Sequence, residues 1–395
     1  MSISGGTEAW RDEAWSWLQK LGDGNDAAGL DALTVLGQTV ISQEKLPEHF
    51  PVAPLDLAQK IEAHPLARAP QKLLAIDLRI REQKEARDGL IAQATERWKA
   101  GELDDMATLA GWLNSKSEYQ RELDAIPLEK ALLSRDLFLQ RLDALGGLGR
   151  WPEVRDLLNR DVFPLDPVLQ KMYLARCNAQ LGEKAASENN WERAFEAAHG
   201  DPSKLLMLAS YAEKNGAVET ARAAYDEAVA EAPKLRAAHQ GRLRLVQATT
   251  DTKKIHAVLA DMLAVWPNDP AVQNDEAYTR LLLQSQGPEA GDQKSDEIQK
   301  IEELAAKLVQ REPSSLPHRT LLALARLRLG KYSDAMDAYS NIQVARNALT
   351  PAALAVHAAV LAANGRRDDA MTEIRDLDLK RLLPEEAALI EAIPK

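Results

Sequence analysis

Residues 211–233 read YAEKNGAVETARAAYDEAVAEAP, and the spacing of their small and aromatic residues decides the fold. Taking Gly216 as the reference, Ala209 stands before it and Ala221, Tyr225, Ala228 and Pro233 follow. Shifted back by 34 residues, the same ruler meets Ala175, Gly182, Ser187, Trp191 and Ala194. Shifted forward by 34 it meets Leu243, Thr250, Ile255, Leu259, Met262 and Pro267. It fits again at Gly330, with Ala323, Ala335, Tyr339 and Ile342, and at Gly365, with Ala358, Ala370, Ile374 and Leu377. A period of 34 residues predicts stacked helical hairpins, because a single hairpin cannot bury its apolar face alone. Each element of the ruler has a physical task. Gly216 ends the first helix of its hairpin (helix A) where the chain enters a left-handed conformation. Ala209 and Ala221 let the two helices approach closely, Tyr225 fills the gap toward the next hairpin, and Pro233 stops the second helix (helix B).

This pattern resembles the tetratricopeptide repeat in a degenerate form. Lys171 and Leu205 stand where the family places an early tryptophan, and Leu174-Ala175 and Leu208-Ala209 replace its Leu-Gly pair. The resemblance implies an all-α fold, a right-handed α-solenoid of stacked antiparallel hairpins, of the bacterial multi-repeat scaffold type. Units 168–201, 202–235, 236–269, 316–350 and 351–385 match directly. The unit 270–315 is stretched: AVQNDEAYTRLLLQ and DEIQKIEELAAKLVQRE form its helices, joined by SQGPEAGDQKS, a polar segment without an apolar anchor. Its 286–294 stretch reads as a surface loop.

Upstream of this 168–395 array, residues 67–167 read as less regular helical hairpins and 1–66 as irregular N-terminal helices. One hairpin turns at Gly149, with Leu142, Leu145, Val154 and Leu158 on its inner faces, and another at Gly101. Gln71 to Ala100 is rich in strong helix formers and predicts one long helix begun by Pro70. Residues 7–21 and 26–42 predict short amphipathic helices, and Pro47, Pro51 and Pro54 an irregular link. In the first of those helices Trp10, Ala14, Trp17, Leu18 and Leu21 share one face, leaving Trp15 outside it. Strand signals are nearly absent.

Composition agrees. A chain of 395 residues is long for one compact core, whereas a repeat array grows hairpin by hairpin. The formal net charge of −11 disfavours nonspecific attraction to nucleic acid or to an anionic membrane. Cys177 is the sole cysteine, so no intrachain disulfide can form; inside a helix it reads as a small core residue. No stretch has the length of a membrane span and no signal peptide precedes the helices, which predicts a cytoplasmic protein. The alternative is the soluble region of a membrane-anchored or envelope-associated assembly protein, the arrangement of the bacterial arrays it resembles.

Signatures of chemistry are missing. There is no GxxxxGK[ST], HExxH, CxxC or GxSxG, and GGLG at 146–149 follows no strand. The seven histidines are scattered, without the helical spacing that builds a zinc site. The expectation is a protein without catalytic, metal or cofactor residues, acting by recognition. The resemblance places the ligand-facing positions on helix A of each hairpin. Here these include Arg176, Gln180, Lys214, Gln240, Arg244, Gln247, Asn274, Tyr278 and Arg328, against a run of alanines (Ala352, Ala355, Ala359) in the last hairpin. Such side chains suit a protein or peptide ligand. A chaperone-tail clamp is not encoded, because Met172, Leu206 and Gln240 hold its lysine places. Self-association is a further expectation. An RNA-reading helical repeat would need a basic groove, and the charge opposes one.

Overall fold

The computed structural model describes residues 8–47, 49–284, 292–340, 349–375 and 377–393. Among these residues every regular element is helical. The chain divides into two compact units, 1–191 and 192–395.

The first unit opens with α1 (Glu8–Leu21), α2 (Ala27–Ser42), α3 (Pro54–Ala63) and α4 (Ala69–Glu82). Then come α5 (Arg87–Trp98), α6 (Leu103–Ser115), α7 (Tyr119–Ala125) and α8 (Leu128–Ala131). Next are α9 (Arg135–Gly147), α10 (Trp151–Asn159) and α11 (Pro167–Gln180), and the boundary falls within α12 (Lys184–Ala198). Helices pack on their sequence neighbours and on the helix two places away, as α2 does on α3 and α4, and α4 on α5 and α6.

Three local expectations are corrected here. The long helix over 71–100 is two helices, broken by a 3-10 turn at Lys84–Ala86. Folding back lets Leu73 and Ile76 of α4 share one core with Leu90, Ile91, Ala94 and Trp98 of α5, burial that outweighs helix propensity. The proline-marked link contains α3: Pro54 sits in its first turn, and Leu57, Ala58 and Ile61 are buried on one face. In α1 Trp15 is buried, edge-on to Phe50 with ring centroids 4.8 Å apart, while Trp17 is 56% exposed. The helix is apolar on several sides, and the tertiary contact with Phe50 selects which side faces in.

The glycines of GGLG are accounted for by packing. A β-carbon at Gly146 would meet the Trp151 ring and one at Gly147 the Tyr119 ring, and Gly149 supplies the left-handed turn of the α9–α10 hairpin. Cys177 is buried with Sγ 3.1 Å from the Trp151 carbonyl, and burial raises its thiol pKa.

The second unit continues with α13 (Pro202–Lys214), α14 (Val218–Glu231), α15 (Arg236–Gln247) and α16 (Thr252–Val265). Then follow α17 (Pro270–Leu283), α18 (Asp292–Arg311), α19 (Leu316–Arg328), α20 (Tyr332–Asp337), α21 (Pro351–Ala363), α22 (Arg367–Ile374) and α23 (Pro384–Glu391). Consecutive helices pair, and the A helices α17, α19 and α21 also lie side by side. The repeat positions do what their chemistry predicts: Ala209, Ala221, Tyr225, Ala228, Ala323, Ala335, Ala358 and Ala370 are all fully buried. Ile342 and residues 286–291 of the expected 286–294 loop lie outside the described residues, and 292–294 belong to α18 instead of a loop. Asp201 and Asp269 cap α13 and α17 through their carboxylates, each followed by a proline in the first turn.

The ruler's glycine place is left-handed wherever glycine occupies it, with φ of 75° at Gly216. Thr250 holds the same place in the α15–α16 hairpin and is forced to φ 53°. A β-branched residue is strained there. Thr250→Gly is therefore expected to stabilise the chain by about 0.5–1 kcal/mol, the relieved strain exceeding glycine's extra unfolded-state entropy. Urea unfolding would show it as a higher midpoint; an unchanged or lower midpoint would mean the turn carries no strain.

Candidate protein-binding face on the A helices

In the first unit, Arg176 leaves α11 toward Asp143, 3.3 Å away, and its guanidinium lies 5.1 Å from the centre of the Trp151 ring. Asp143 also accepts from the Tyr173 hydroxyl at 3.4 Å. Burial raises the Asp143 pKa, with Arg176 pulling it back down. Arg176 is thus a fixed part of an internal network, while Gln180, one turn on, is exposed.

In the second unit the residues separate by environment. Lys214, Gln240 and Gln247 are exposed. Arg244 makes a forked pair with Glu213, Nε to Oε1 at 3.1 Å and a terminal nitrogen to Oε2 at 3.0 Å. The Tyr225 hydroxyl donates to the same carboxylate at 2.6 Å. Hydrogen bonding from Arg244 holds Glu213 below the usual carboxylate range. This cluster joins α13, α14 and α15, so Arg244 both stitches the hairpins and leaves part of its guanidinium in solvent. Asn274 is only 4% exposed, and its amide nitrogen donates to Asp275, which leaves it out of reach of a ligand.

The charge of Arg328 on α19 acts on the hydroxyl of Tyr278, which lies on the side shared by α17, α19 and α21, and that side is covered. Across it lies α23. The Tyr278 hydroxyl donates to Glu386 Oε1 at 2.9 Å, and the other Glu386 oxygen accepts from the Leu383 amide at 2.9 Å. Leu389 packs into the core formed by α17, α18, α19 and α21, and Leu382 and Ile390 pack on Ala355. Glu385 hydrogen-bonds the Thr252 hydroxyl at the start of α16. Burial raises the Glu386 pKa and puts the Tyr278 hydroxyl well above the usual phenol range. Ala355 and Ala359, with no reach of their own, are buried in the cores that α23 completes.

The residues of α23 were not among the expected site, although LLPEEAALI carries a signal for them. Pro384 opens the helix, Glu385 and Glu386 occupy its first turn, and Leu389 and Ile390 follow at helical spacing. Among the described residues no group of three His, Cys, Asp or Glu side chains could hold a metal ion, and no helix is long and apolar enough to cross a membrane.

No family model matches the chain, and no curated protein matches it. Among solved structures, a chain of the Naa15/Naa10 complex bound to HypK-THB is similar at 12% identity and a TM-score of 0.21, over 87% of this chain and 68% of that one. At that degree of overlap it says nothing about function.

Proposed function

We propose that the protein is a non-catalytic helical-repeat scaffold, of the tetratricopeptide type, that binds a segment of a partner protein along the A-helix side of its second unit. One observation carries this reading: the A helices α17, α19 and α21 hold a short amphipathic helix by apolar packing and a tyrosine–carboxylate hydrogen bond. That is how grooves of this kind take a partner helix. Polar, exposed Lys214, Gln240 and Gln247 extend the same series of helices and would form its solvent-facing rim.

Photo-crosslinking amino acids placed at Gln240 and Gln247 test this, with Lys307 of α18, a helix-B position, as control. The expected result is a discrete cross-linked partner from the two A-helix positions and none from Lys307. Equal labelling at all three would sink the reading. Reversing Arg176 or Arg244 is a poorer test, since each is tied to a carboxylate and its reversal would set like charges side by side within the fold as well as on any ligand.

A further inference from the structure

The seat of α23 is a strange place for a carboxylate. Glu386 is 3% exposed, yet among the described residues it has no ion-pair partner, only the Tyr278 hydroxyl and the Leu383 amide. The charge of Arg328 on α19 lowers the Tyr278 hydroxyl pKa against the larger effect of burial, and among the described residues Arg328 too has no ion pair. Its Nε is buried without a hydrogen-bond partner. Among the described residues, then, the acid of the occupant and this cation each stand outside any ion pair. Pairing such groups is what stabilises a buried charge, and neither is paired here.

The occupant is also weakly built. With eight residues, α23 is far below the length at which a helix is stable alone, so it persists only through its contacts. Among the described residues 377–383 before it, the one regular element is a 3-10 turn at Leu379–Arg381. The contacts are those of a ligand: Leu389 and Ile390 as apolar anchors, Glu386 on a tyrosine, and a flat floor of Ala355 and Ala359.

Resting on the scaffold reading above, we propose that the face bearing Tyr278, Arg328, Ala355 and Ala359 is the docking seat for an acidic amphipathic helix of a partner protein. In this arrangement α23 is an internal occupant that the partner displaces. The incoming helix has an acidic first turn like Pro384-Glu385-Glu386 and two aliphatic anchors one turn on. It carries in addition an acid that reaches Arg328, which α23 lacks. Apparent affinity is then set by the fraction of molecules in which the seat is open.

The test uses the full chain and a fluorescent synthetic peptide of residues 378–395. Binding is followed by anisotropy, and opening of 377–393 by amide hydrogen exchange. In a Leu389→Ala/Ile390→Ala chain the occupant is weakened, and the peptide is expected to bind about tenfold more tightly or better than to the wild type. Arg328→Ala in that background leaves this peptide's binding nearly unchanged. The same change abolishes the gain expected from a second peptide carrying an extra glutamate in its last turn. With saturating peptide, exchange in 377–393 of the wild-type chain speeds up while α19 is unaffected. Two results overturn the proposal. One is exchange in 377–393 as slow as in α19, unmoved by peptide, which makes α23 a fixed part of the core. The other is a double variant whose 377–393 exchanges freely yet binds neither peptide. Should the double variant lose its helical signal, the wild-type exchange experiment decides alone. Failure here with partner cross-links intact at Gln240 and Gln247 would leave the scaffold reading standing without this seat.

Discussion

Truncation of Tyr225 to alanine is expected to lower the unfolding free energy by about 3–5 kcal/mol, the range for a buried aromatic side chain cut back to a methyl group. Tyr225 is wholly buried, and its ring lies against the backbone of Gly241 on the next A helix, where a β-carbon would fall within the ring. Its hydroxyl closes the cluster with Glu213 and Arg244. The tyrosine therefore couples one hairpin to the next, and a second substitution tests that coupling. Gly241→Ala alone should cost about 1–3 kcal/mol through overpacking. In the Tyr225→Ala chain the space is vacant, so the same change should be neutral, or stabilising by up to about 1 kcal/mol through helix propensity. Urea unfolding of the four chains gives the interaction energy. A Gly241→Ala penalty that persists without the tyrosine ring would mean that the close approach is not what the glycine serves.

The second large effect concerns pH. Glu122 on α7 is completely buried, and neither of its carboxylate oxygens has a hydrogen-bond partner. Burial raises its pKa from 4.5 to about 8, with Arg141 acting in the opposite direction. An acid whose folded pKa is raised is neutral in the folded chain while the unfolded chain has already ionised. Its cost is absent below the unfolded value, grows as pH rises, and is complete above the folded value. The stability difference between wild type and Glu122→Gln should thus be small at pH 4.5. Above pH 8 it should favour the variant, by an amount on the order of 5 kcal/mol given about 1.4 kcal/mol per pKa unit. Chemical unfolding of both chains at pH 4.5, 7 and 9 would reveal the trend. A difference that does not change with pH would show that Glu122 stays charged in the folded chain.

How much of this was legible in the residues varies with the range of the interaction. The ruler found the left-handed turns at Gly182, Gly216, Gly330 and Gly365 and the buried alanines, because those depend on close approach within one hairpin or between neighbours. It also marked Thr250, a residue at odds with its place. The break at Gln83 and the choice of Trp15 over Trp17 were hidden, since propensity and helical periodicity allow both outcomes and contacts from other helices choose. The candidate face was legible as a set of positions and not as a surface. Arg176 and Arg244 look like free cations in the sequence and prove to be paired with Asp143 and Glu213, acids some thirty residues upstream, about one repeat away. Most of all, a ruler of 34 residues cannot see that residues 377–393 return to helices a hundred residues earlier.

That return bears on the order of events when the chain is made. The bond from Tyr278 to Glu386 spans 108 residues and that from Thr252 to Glu385 spans 133, in a unit whose other helices mostly meet their immediate neighbours. Distant contacts close late, after local ones have formed. During translation α17, α19 and α21 leave the ribosome before α23 does. For that interval the hairpins can assemble with their shared side bare, and a helix already present in the cell would meet no competitor there. If that side takes a partner's helix as proposed, timing during synthesis, as much as affinity afterwards, would decide which helix it holds.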